Sequence, residues 1–208
     1  MSKALILKLI EICERNSIYY SIFAQNTIVA SSLKYNVLFY NSENSKKTSD
    51  KKTKINIVSN IYEYVKESNI ENFLKLTICD ENRTIFSGIT NKFKNISGIE
   101  VLDVTHLSNK RIKNGTSIED INYYYTEVTR NNVNKWEAIK YLINYLNINQ
   151  NEVMTIGDNI NDIEMIKNAS LGVAMGNSAP SVKDICNFIT KTNDENGVAY
   201  AILKNNNL

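Results

Sequence analysis

Residues 153 to 162 read VMTIGDNIND, an apolar run that stops at a glycine and then sets two aspartates and two asparagines within six positions. Carboxylates are hard oxygen donors. Mg²⁺ takes one or two of them, keeps several of its waters, and shares the rest of its shell with substrate phosphates. Asp158 suits such a ligand, and Asp162, one helical turn later, falls on the same side. A purely structural reading stands beside this one: Asp and Asn are common helix caps, and Asp158 and Asn159 stand where a helix would begin.

The elements that must position these residues are legible around them. Val153, Met154, Thr155 and Ile156 have the length and side chains of a buried strand, and Gly157 punctuates its end. Ile160, Ile163, Met165 and Ile166 then follow helical spacing. The acidic cluster therefore falls on a strand-to-helix connection, the carboxyl edge at which open α/β sheets bind ligands.

Two textures divide the chain. From residue 1 to about 115, helical and strand-like segments alternate. An amphipathic helix with Leu5, Leu9, Ile12 and Cys13 near one face comes first, then SIYYSIFA and NTIVAS as strands joined near Gln25 and Asn26. The segment INIVSNIYEYVKES has helical periodicity, LKLTICD reads as a strand, RTIFSGITNKFKN as a helix and IEVLDVTH as a strand. This mixture predicts an α+β domain. From about residue 123, YYYTEVT, KWEAIKYLINYLN, VMTIGD, LGVAMG and FITKT alternate strand with helix, the pattern of a parallel sheet. The expected domains are 1–115 and 116–208.

Composition narrows the function. A chain of 208 residues with 43% hydrophobic content can form a sizeable core. A net charge of +2 gives no ground for nucleic acid or an anionic membrane surface as partner. The basic stretch Lys46 to Lys54 is broken by Thr, Ser and Asp and reads as a solvated loop. Cys13, Cys79 and Cys186 are far apart, which suits reduced cytoplasmic thiols better than a disulfide framework or a zinc site. His106 is the single histidine and reads as a surface or half-buried side chain. Charged residues interrupt the apolar N-terminus at helical spacing, so it reads as a helix rather than a targeting signal. No run approaches a membrane span.

Together, Lys135 in NVNKWEAI, the GDNIND cluster, LGVAMGNSAPSVKD and FITKTNDENGVAYAI resemble the C-terminal half of a Cof-type phosphatase of the haloacid dehalogenase superfamily. The preceding region resembles the large C2-type cap of those enzymes. The resemblance implies an α/β fold: the C-terminal part of a Rossmann-like core, with an α+β cap. It implies Mg²⁺ as cofactor and a small phosphorylated metabolite as substrate. Lys135 matches the lysine that stabilises charge on the nucleophile and the phosphoryl group. Asp158 and Asp162 match the acids of the metal site, and Asn161 matches a residue near the phosphate.

One departure qualifies the resemblance. The family attacks phosphorus with an aspartate in an early DxD motif, and no such pair occurs in this sequence. Without a carboxylate nucleophile no aspartyl-phosphate forms. The chain is therefore expected to begin inside the cap and to be inactive until an N-terminal segment completes it, with an open strand edge that invites self-association. The alternative is a non-catalytic remnant that binds a ligand or partner. LKLTICDENRT offers a decoy, with Asp80, Asn82 and Thr84 spaced like DxDxT, and its competing account is a strand end that caps the next helix.

Overall fold

A computed structural model describes residues 1–102, 107–114 and 117–205. The chain forms two compact units, Met1–Asn131 and Asn132–Leu208.

In the first unit, helix α1 (Lys3–Arg15) buries Ile6, Leu9, Ile10 and Cys13, the spacing of one helix face. Leu5 and Ile12, expected near that face, are half-buried at its margins. Strands β1 (Tyr19–Ala24) and β2 (Thr27–Ala30) form an antiparallel hairpin in which Ala24 faces Thr27. Asn26 turns the corner at φ 58°, a left-handed conformation that Asn tolerates. The unit continues through α2 (Tyr35–Asn44), β3 (Lys54–Ile57), α3 (Ile61–Glu67), β4 (Phe73–Asp80), α4 (Arg83–Lys94), β5 (Ile99–Val101), β6 (Ser108–Asn114) and β7 (Ser117–Arg130). These strands make one sheet in the order β3-β2-β1-β4-β7-β5, with β6 also on β7. Its pairings are antiparallel except for β2 with β3.

Alternation along the strands sorts the core. Tyr20, Ile22, Ala24, Leu76, Ile78 and Val128 pack with the buried faces of α1, α3 and α4. Phe23, Ile28 and Ala30 point the other way and pack with Val37 of α2.

Three expectations need correction or fall outside the described residues. INIVSN is not helical: Ile55 pairs with Ile28 as part of β3, and the helix begins only after Asn60, whose side chain accepts from the Glu63 N–H at 3.0 Å. YYYTEVT does not open the second region, because β7 pairs with β4, β5 and β6, and the units divide at Asn131 rather than near residue 115. Of IEVLDVTH, Ile99–Val101 is a strand, while residues 103–106, His106 among them, lie outside the described residues.

The second unit consists of α5 (Lys135–Leu146), β8 (Met154–Gly157), α6 (Ile163–Asn168), β9 (Leu171–Ala174), α7 (Pro180–Lys183), β10 (Phe188–Ile189) and α8 (Gly197–Lys204). Its three strands are parallel, in the order β10-β9-β8. Trp136, Ile143, Val153, Met165, Ile166, Ala174 and Val182 form its core. Among the described residues, β8 has a partner on one side only.

Candidate functional site

The site grows from the end of β8. Gly157 carries no Cβ, and one placed there would stand 2.5 Å from the Asp162 Cβ and 2.8 Å from its Oδ2. That vacancy lets the chain fold back as a single tight turn, Ile160–Asp162, before α6. Asn159 caps the turn, its Oδ1 accepting from the Ile160 N–H at 2.7 Å. Asp162 closes the loop: its Oδ2 accepts from the backbone N–H groups of Asp158 (2.9 Å) and Asn159 (3.1 Å). Two further bonds hold Gly157, whose carbonyl accepts from Met175 N–H at 2.9 Å and from Ser178 Oγ at 3.4 Å.

Across the site, Lys135 Nζ donates to Asp162 Oδ1 at 2.5 Å. Lys135 is the first residue of α5, and Asn134 caps that helix by accepting from the Glu137 N–H at 3.0 Å. A cation at a helix N-terminus opposes the helix dipole. The Asp162 carboxylate compensates for this placement. Burial acts to raise the Asp162 pKa, but the Lys135 ammonium and the two backbone amides outweigh it and hold the carboxyl below the usual Asp range. The Asp162 side chain is 3% exposed and that of Lys135 is 51% exposed, so the pair joins a buried anion to a cation that reaches solvent.

Asp158 differs from Asp162. Its side chain is exposed, and no group among the described residues bonds to its carboxylate. Asn161 is likewise exposed. The structure thus brings Lys135 onto Asp162, ties Asp162 to the backbone of Asp158, and leaves the Asp158 carboxylate and the Asn161 amide facing solvent. Of the two acids expected to hold metal, Asp158 has uncommitted oxygens, whereas both Asp162 oxygens already serve the lysine and the loop. Among the described residues, no three His, Cys, Asp or Glu side chains converge as a metal cage. The donor set suits a cation that asks one carboxylate of the protein and takes its other ligands from water and phosphate, as Mg²⁺ does.

Asp80, the decoy, is structural. It ends β4, in the first unit's largely antiparallel sheet, and its Oδ1 accepts from the Asn82 N–H at 2.7 Å. Asn82 in turn caps α4, accepting from Thr84 N–H (2.9 Å) and Ile85 N–H (3.2 Å). In the sequence Gly157 reads only as a strand terminator, and nothing marks Ser178. Both matter through contacts with residues distant in sequence or folded back in space, which no local pattern reveals.

No helix among the described residues is long and apolar enough to cross a membrane.

Comparison with known proteins places this chain in a family. A 5-amino-6-(5-phospho-D-ribitylamino)uracil phosphatase of Bacillus subtilis, YcsE, is 47% identical over 76 residues, which are 36% of this chain and 30% of that protein. Phosphatase YwpJ of the same organism is 42% identical over 74 residues, 36% of this chain and 26% of that one. The matched region thus spans less than a third of either relative. A haloacid dehalogenase-like hydrolase from Bacteroides thetaiotaomicron shares the fold with a TM-score of 0.72 at 22% identity, over 98% of this chain and 67% of that one. The family model for haloacid dehalogenase-like hydrolases matches residues 1–202, and the chain belongs to that family.

Proposed function

We propose that this chain carries the cap and the Mg²⁺-binding portion of the core of a phosphatase acting on small phosphorylated metabolites. The observation that carries the reading is the Lys135–Asp162 pair at the carboxyl end of β8, with the uncommitted Asp158 carboxylate beside it. The relatives with phosphatase names support the reaction class.

In this reading each residue has a physical task. Asp158 holds Mg²⁺, which supplies Lewis-acid stabilisation of the phosphoryl oxygens. Asp162 keeps Lys135 aimed and the loop closed. The Lys135 ammonium, more than half exposed, faces the growing negative charge on the phosphoryl group, and a fixed cation there needs no reorganisation during reaction. Asn161 offers an amide to the phosphate.

The nucleophile is the missing part. The sequence has no DxD pair, and the Asp80 carboxylate instead accepts from the N–H of Asn82, the residue that caps α4. The chain by itself therefore binds metal and phosphate weakly and does not turn over substrate, and a carboxylate supplied by a complementing segment completes it. Hydrolysis of p-nitrophenyl phosphate with Mg²⁺ tests this. The expected rate equals the buffer control, and robust hydrolysis abolished by Asp80→Ala would overturn the assignment. A ligand-binding or partner-binding role without catalysis is the second reading, favoured by the same absence of a DxD pair. Activity restored by a complementing segment would exclude it.

A further inference from the structure

A cavity of about 280 Å³ lies within the first unit, between α4 and the strands β5 and β7. It shares no residue with the candidate phosphatase site. Phe86 and Tyr124 make an aromatic wall, with ring centroids 5.7 Å apart and planes tilted by 30°. Val101 and Leu102 extend the apolar lining, while Ser87, Thr90, Asn91 and Thr126 add polar groups.

Its charges point one way. Arg83 and Lys94 stand in the lining, and no carboxylate does among the described residues. Lys94 has an interaction of its own. Arg83 has no bonding partner among the described residues, and neither have the Tyr124 and Ser87 hydroxyls. A guanidinium is always charged and presents a planar fork that matches a carboxylate with two parallel hydrogen bonds. One uncommitted guanidinium at an aromatic-walled cavity of this volume matches a ligand with one anionic group and a flat apolar body. A doubly charged phosphate would ask for a second uncommitted cation.

We propose that this cavity is a binding site for a small aromatic carboxylate, with Arg83 gripping the carboxylate, the Phe86 and Tyr124 rings forming the wall against which the flat body packs, and the Tyr124 and Ser87 hydroxyls serving its polar edge. The site does not depend on the phosphatase reading, because it uses no residue of the GDNIND loop.

Indole-3-acetate is a suitable probe, followed by saturation-transfer NMR and calorimetry on the whole chain. Its neutral isostere indole-3-ethanol and inorganic phosphate serve as controls. The expected result is binding of indole-3-acetate weakened at least tenfold by Arg83→Gln and abolished by Ser87→Phe, which fills the cavity. Both variants should keep the parent circular dichroism spectrum, since Arg83 is exposed and Ser87 half-buried. Asp158→Asn should leave the affinity unchanged, which separates this site from the phosphatase loop. The proposal fails if indole-3-acetate does not bind at millimolar concentration. It also fails if indole-3-ethanol or phosphate binds as well as the carboxylate, or if Arg83→Gln leaves the affinity unchanged.

Discussion

The Cβ that Gly157 lacks is the space that Asp162 occupies: built onto the glycine, it would lie 2.5 Å from the Asp162 Cβ. The carboxylate that fills this space holds two loop amides on one oxygen and Lys135 on the other. Gly157→Ala should therefore push Asp162 off the loop and destabilise the second unit by about 1–3 kcal/mol, the usual cost of forcing a methyl group into a packed site. Gly88→Ala is the control. It lies inside α4 with nothing within 4 Å of a built Cβ, and it should stabilise by about 0.5–1 kcal/mol through helix propensity. Urea unfolding of the two variants reads the opposite signs, and equal effects would contradict the packing argument.

Asp162 and Lys135 should not be equivalent in stability. Asp162→Ala leaves two backbone N–H groups without their acceptor, at a cost of about 2–4 kcal/mol from two unmade bonds and the lost packing. Lys135→Ala removes a side chain that is half in solvent, and the carboxylate keeps both amides, so about 1 kcal/mol or less is expected. Denaturant midpoints in the reverse order would mean that the lysine, not the loop amides, holds Asp162 in place.

At alkaline pH the first unit should weaken. Burial pushes the Tyr35 and Tyr123 phenols up to about 12, and their rings lie 5.1 Å apart. Because the folded pKa is the higher one, the neutral form is favoured by folding. That contribution is complete below about pH 10, where an unfolded tyrosine titrates, and is lost as pH rises through about 12. Phenolate absorbance followed alongside circular dichroism checks this, and tyrosines titrating normally in a fold stable to pH 12 would contradict it.

Open on one side among the described residues, β8 offers unpaired backbone groups to another strand. The helices add exposed apolar side chains, Leu142 and Leu146 on α5 and Ile202 and Leu203 on α8, each at least 45% exposed. Concentration-dependent self-association in size-exclusion chromatography is the expected outcome. A monodisperse monomer with every β8 amide protected from hydrogen exchange would contradict it.

Signals confined to a few residues were legible in the sequence. Gln25 and Asn26 marked the first hairpin, Gly157 marked the end of β8, and the spacing of KWEAIKYLINYLN marked α5. Pairing was not legible. β3 became a strand because β2 offered it a parallel edge, although Asn60 and Glu63 stood at the cap spacing that would have placed the helix start later. The place of β7 was not legible because a strand followed by a helix looks like a βα unit, whereas its partners β4, β5 and β6 all belong to the first unit. At the site, residue types gave the chemistry, but the division of labour between Asp158 and Asp162 came from which carboxylate the loop turns inward.

Calorimetric titration of the chain with Mg²⁺ in the presence of inorganic phosphate tests the central claim most directly. Weak, millimolar-range binding is predicted, because one carboxylate is all this loop offers a cation that gives up water reluctantly. Asp158→Asn should abolish that binding while leaving the fold intact, since no described group depends on its carboxylate. Binding that survives Asp158→Asn unchanged would contradict the account.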